Sequence, residues 1–88
     1  KQEMIARDMM VNVKDGLNVG TVALFIQEAS QFDSSIYLEY GSKKVNAKSI
    51  MGMMTLNIAA GENILVTADG NDEGAAISGI EKYLCCEQ

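Results

Sequence analysis

The residues equipped for chemistry in this chain are few, and histidine is not among them. That removes the commonest general base and metal ligand at neutral pH. Asp69, Asp72 and Glu73 bring carboxylates close together. A turn running into a helix accounts for acids there, because they complement the positive helix end; no metal site is assigned. Cys85 and Cys86 are adjacent, too close for a relaxed disulfide. They read as two free thiols in a reducing compartment, the cytoplasm, with no further ligands for a metal or redox role. Asn18, in "GLNVGTVALF", and Ser49, in "NAKSIMGMMTL", each precede an apolar helical run and fit the N-cap position. No nucleophile–base pair and no glycine-rich nucleotide loop occurs. Independent catalysis is not expected, and no cofactor is implied.

The elements that must position these residues belong to one domain of 88 residues. The net charge of −5 argues against nucleic acid or an anionic membrane as the main partner. Lys43, Lys44 and Lys48 form the one basic cluster. No apolar run reaches the ~20 residues needed to span a bilayer, and no secretion signal is expected.

Hydrophobic periodicity supplies the order β-α-β-β-α-β-α. Residues 1–6 read as an arm or a strand extension. Arg7 to Lys14 alternates, with Met9, Val11 and Val13 on one face. Val22, Phe25, Ile26, Ala29 and Phe32 follow helical spacing. Ile36 and Leu38 point inward from a second strand, with Tyr40 a further candidate; Gly41-Ser42 is a glycine-first hairpin turn. Lys43 to Ala47 returns as a third strand, and a short methionine-rich helix follows Ser49. Ile64, Val66 and Ala68 mark a fourth strand. Asn71 or Asp72 caps the last helix, whose buried stripe is Ala76, Ile77, Ile80, Tyr83 and Leu84. Four strands with one covered face and three helices define an α+β two-layer domain.

This order, together with "NAKSIMGMMTL" and "AAGENILVTADGNDE", resembles the histidine-containing phosphocarrier (HPr) family of the bacterial sugar phosphotransferase system over residues 7–84. The resemblance implies an HPr-like open-faced β-sandwich, a four-stranded antiparallel sheet with three helices on one face. In that family the first loop reads Gly-Leu/Ile-His-x-Arg-Pro, and the histidine takes phosphate from enzyme I and passes it to a sugar-specific enzyme II. Here Asn18 stands at the histidine position, Gly20 at the arginine and Thr21 at the proline. An amide nitrogen has its lone pair delocalised into the carbonyl, so Asn18 cannot accept a phosphoryl group. Gly20 supplies no cation to neutralise one. What remains is a helix start whose free amides still favour an anion.

"KSIMG" is close to the regulatory-serine segment of Gram-positive members, and Crh-like members keep that serine without the histidine. The resemblance therefore implies phosphorylation of Ser49 by an HPr kinase/phosphorylase, in carbon catabolite control. Lys48 is placed to contact the phosphate or to be solvated. Ile50, Met51 and Met54 match an exposed apolar patch that docks protein partners, among them a regulator of the catabolite control protein A type. Met53 and Leu56 are expected in the core. Two rivals stand beside this regulatory module. One is a constitutive docking or assembly domain without phosphorylation; the other, weaker, is phosphocarrier activity through another residue.

Overall fold

The computed structural model describes residues 4–85. Cys86, read above as a free thiol, lies outside them. The elements are β1 (Ile5–Met10), α1 (Val22–Ala29), β2 (Ser35–Tyr40), β3 (Lys43–Asn46), α2 (Ile50–Met53), β4 (Asn63–Asp69) and α3 (Glu73–Cys85). One antiparallel sheet has the strand order β1-β4-β2-β3. Side chains alternate across it. The row Arg7, Val66, Leu38, Val45 faces the helices, and the row Ala6, Thr67, Tyr37, Asn46 faces away. On that second face the Lys44 ammonium lies 5.3 Å from the centre of the Tyr37 ring.

The expected apolar residues fill the space between sheet and helices. Phe25, Ile36, Leu38, Val66, Ile80 and Leu84 are fully buried, while Ile26, Phe32 and Tyr83 are partly so. The Phe25 and Tyr83 rings meet at 6.2 Å, tilted by 52°, and tie α1 to α3. Gly41 opens the β2–β3 hairpin at φ +61°, a conformation that favours glycine, as the glycine-first turn requires. Arg7 and Glu81 form an ion pair from β1 to α3, but both are exposed and the pair contributes at most about 1 kcal/mol.

Two local expectations are corrected and a third holds in part. The first strand includes the extension that the sequence allowed before Arg7, but it ends sooner than its alternation suggests. Ile5 and Ala6 belong to it, whereas the ladder with β4 stops at Met10. Beyond that point Asn12 donates its amide to the Leu84 carbonyl (2.7 Å), drawing the chain toward the end of α3. Val11 and Val13 are still buried, so the period-2 signal continues after the strand does.

Asn18 does not cap α1. A turn intervenes, the cap position falls on Thr21, and the Thr21 side chain makes no capping bond.

The third, the cap of α3, holds in part: Asp72 occupies the position directly before Glu73. The Asp72 backbone carbonyl accepts from Ala76 (2.8 Å), but its carboxylate serves another segment. It accepts from the amides of Asp33 and Ser34, each at 2.9 Å, and from the Ser34 hydroxyl. The start of the helix is closed from inside by Glu73, whose carboxylate accepts from the Gly70 amide (3.0 Å).

These bonds make Asp72 a source of acid sensitivity. The Ser34 hydroxyl, then the Asp33 amide, hold its carboxyl below the ordinary value, against the opposing effect of desolvation. Because folding lowers this pKa, the stabilisation is complete above the unfolded value of about 3.9 and is lost as pH falls through the folded value. Asp72→Asn is expected to lower the urea midpoint at neutral pH, since its amide group cannot accept from both backbone donors. The same variant is expected to flatten the decline below about pH 4. Glu62 is also lowered, first by the Tyr40 hydroxyl and then by the Ala59 amide, so some slope survives in the variant. Urea titrations across the acid range check this, and parallel curves for the two proteins would refute it.

Candidate functional site

Two segments carry the site residues: the loop from Asp15 to Thr21 and the stretch around α2. The loop begins with Asp15 and Gly16, both at φ +69°. Gly16 is required there, because a Cβ would lie 2.0 Å from the Ile58 carbonyl oxygen. That carbonyl accepts from the Leu17 amide, and the Leu17 carbonyl accepts from the Ile58 amide, both at 2.8 Å. The loop is thereby anchored to the segment before β4.

Beyond the anchor the loop is satisfied by itself. The Asn18 carboxamide accepts from the Gly20 amide (2.8 Å) and donates to the Asp15 carbonyl (3.0 Å). This is a side-chain turn of the kind asparagine forms readily. The Asn18 amide donates to the Thr21 hydroxyl (3.0 Å), which donates in turn to the Gly16 carbonyl (2.8 Å). The Thr21 and Val22 amides both reach the Asn18 carbonyl, at 3.0 and 2.8 Å. The expectation of free amides is therefore narrowed within the loop itself. The amides of Asn18, Gly20, Thr21 and Val22 already have acceptors inside the loop.

Ser49 is the cap the sequence indicates. It is extended (φ −98°, ψ 115°), and its hydroxyl accepts from the Gly52 amide at 3.3 Å. Its own amide donates to the Asn46 carbonyl (3.0 Å), and the Met53 amide donates back to its carbonyl (2.9 Å). With four residues, α2 is a single turn. Such a short helix has little macrodipole, so these local N–H groups set the electrostatics at Ser49. Lys48, expected beside a phosphate or in solvent, is otherwise engaged. Its half-buried ammonium donates to the Phe32 carbonyl at 2.5 Å, pinning the segment to the chain just after α1.

The apolar residues divide as the sequence suggests. Met53 and Leu56 are buried, while Ile50, Met51 and Met54 are 48%, 79% and 46% exposed. Sequence reasoning missed Val19 and Leu24, which are also largely exposed. The signal was present: Leu24 falls off the buried stripe of α1, and Val19 sits within a turn. Because α1 packs on α2, these exposed apolar side chains belong to neighbouring elements. Elsewhere, a cavity of about 330 Å³ lies between the β2–β3 hairpin and the chain after α2, lined by Tyr40, Lys43, Thr55 and Asn57 among others. The Lys43 ammonium in it already donates to the Thr55 carbonyl (3.0 Å). Among the described residues no cluster of potential metal ligands occurs, and no helix is long and apolar enough to cross a membrane.

An open antiparallel sheet with three helices, a glycine-anchored first loop and a serine-capped single turn after a hairpin define the HPr-like class of fold. A family model described as the PTS HPr component phosphorylation site matches residues 5–85. The chain belongs to the HPr family. It is 43% identical over 81 residues to the HPr-like protein Crh of Halalkalibacterium halodurans, covering 92% of this chain and 96% of that protein. The phosphocarrier protein HPr of Bacillus anthracis superposes with a TM-score of 0.86 at 41% identity, covering 92% of this chain and 96% of the other. Crh of Bacillus subtilis superposes with a TM-score of 0.73 at 43% identity, over 84% and 85% of the two chains; its crystal structure is described as an unexpected domain-swapped dimer. The fold and family inferred from the sequence are both borne out.

Proposed function

We propose that this chain is a single-domain, non-enzymatic regulatory module of the cytoplasm, related to the phosphotransferase system but unable to carry phosphate on a histidine. Phosphorylation of Ser49 by an HPr kinase/phosphorylase switches it, in carbon catabolite control. Its partners are that kinase and a transcriptional regulator of the catabolite control protein A type. One observation carries the reading: the Ser49 hydroxyl adjoins a turn that exposes Ile50, Met51 and Met54. A phosphoryl group there adds up to about two negative charges beside apolar surface, which changes what that surface can bind. The kinase must displace the 3.3 Å bond from Gly52, a weak one by its length, so the hydroxyl is available at small cost.

A second reading is favoured by the exposure of Val19, Leu24 and Met51 without any modification. In it the same surface docks a partner or a second copy constitutively. Intact-protein mass spectrometry after incubation with ATP and an HPr kinase separates the two. The regulatory reading expects one phosphoryl group on the wild type and none on Ser49→Ala. An unmodified wild type, under conditions in which the kinase labels an ordinary HPr, would leave constitutive docking as the better account.

A further inference from the structure

We propose that Met51 and Met54 are a site of reversible oxidation by peroxides, which converts the apolar surface around Ile50 into a polar one. The argument rests on how α2 sorts its thioethers. Met51 and Met54 are 79% and 46% exposed, and Met53 between them is fully buried. Met51 and Met54 are three positions apart across a single helical turn and its end, so their sulfurs lie toward the same side. Oxidation susceptibility follows exposure, and a sulfoxide turns a flexible apolar side chain into a polar one. Because Met53 and not its neighbours packs into the core, oxidation at Met51 and Met54 leaves the fold intact and alters the surface alone.

The chemistry balances without a cofactor. The thioether sulfur attacks one oxygen of hydrogen peroxide, the O–O bond breaks and an S–O bond forms. The departing hydroxide takes the proton from the hydroxyl now on sulfur and leaves as water, so that the sulfoxide remains; sulfur has lost two electrons and the peroxide has gained them. A sulfoxide reductase reverses the step, with two thiols oxidised to a disulfide and the oxygen released as water.

The effect on partners rests on the docking reading above, but the site itself does not. The test exposes the whole chain to dilute hydrogen peroxide and follows each methionine by peptide mass spectrometry, beside the same chain in denaturant. Met51 and Met54 are expected to react within about threefold of their denatured rates, and Met9 and Met53 at least about tenfold below theirs. Retention on a hydrophobic-interaction medium should fall on oxidation of the wild type by at least about twice as much as in Met51→Leu, Met54→Leu, although Met4 and Met10 are also exposed. Protection of Met51 and Met54 equal to that of Met53, or equal retention losses in the two proteins, overturns the proposal. A parallel incubation of the unoxidised chain with ATP and HPr kinase keeps the two ideas apart. If Ser49 takes no phosphate while the oxidation rates sort as expected, the switch at Ser49 fails and the oxidation site stands.

Discussion

Asn18→His alone is expected to accept phosphate from enzyme I and phosphoenolpyruvate at least about tenfold more slowly than Asn18→His combined with Gly20→Arg, and the wild type is expected to accept none. The single substitution restores a nucleophile without the cation. A hydrogen bond to a charged group contributes about 1.5–3 kcal/mol, which corresponds to about ten- to a hundredfold in rate if it forms at the transition state. The loop has room for the second change. A Cβ on Gly20 meets the Asn18 Oδ1 at 3.3 Å, and that atom leaves with the asparagine. The same loss releases the Gly20 amide from its present acceptor, giving the phosphoryl oxygens a donor that the wild type keeps occupied. Time courses of intact mass decide the matter. Equal rates for the single and double variants would show that the cation at position 20 is not what the loop lacks. Label on the wild type would revive the carrier reading through a residue other than histidine.

Gly16→Ala is expected to destabilise the fold by about 3 kcal/mol or more. A left-handed backbone costs a residue with a Cβ roughly 1–2 kcal/mol, and overpacking adds about 1–3 kcal/mol. Relaxation is blocked on the crowded side. The obstructing atom is the Ile58 backbone oxygen, held by reciprocal bonds between Leu17 and Ile58. For 88 residues, total stability near 0.05–0.15 kcal/mol per residue amounts to roughly 4–13 kcal/mol, so one methyl group removes a large share. Gly41→Ala is the control. Its φ is +61°, but a Cβ there meets nothing within 4 Å, so only the backbone term applies. Urea midpoints of the two variants should differ widely, and equal shifts would mean that the Gly16 loop moves aside.

What was legible in the sequence was what short-range physics determines. The stripes of α1 and α3, the inward residues of β2 and β4, the Gly41-Ser42 turn and the Ser49 cap each follow from neighbours within a few positions. The errors have a common cause in contacts between distant residues. Alternation at Val11 and Val13 reported burial correctly, but no local rule foresees that Asn12 would bond to Leu84. Asp72 does hold the position before a helix. Its carboxylate is claimed by Asp33 and Ser34, nearly forty positions away. Lys48 adjoins Ser49 in sequence and serves Phe32 in space. Asn18 misled in a narrower way. Its side chain does close on a nearby amide, but that of Gly20 within a preceding turn rather than one at the helix start. The candidate site was therefore readable as a set of residues, while their occupation by internal hydrogen bonds was not.

The strand order has a consequence for biosynthesis. Residues 5–10 leave the ribosome well before residues 63–68, their ladder partner among the described residues, and Arg7 and Asn12 find Glu81 and Leu84 later still. The β2–β3 hairpin can close as soon as it is made, whereas β1 must wait until β4 follows more than fifty residues later. During that interval it is an unpaired strand on a tether, the kind of segment that another nascent chain or a chaperone can capture. The time taken to translate the stretch between β1 and β4 therefore sets how long that exposure lasts.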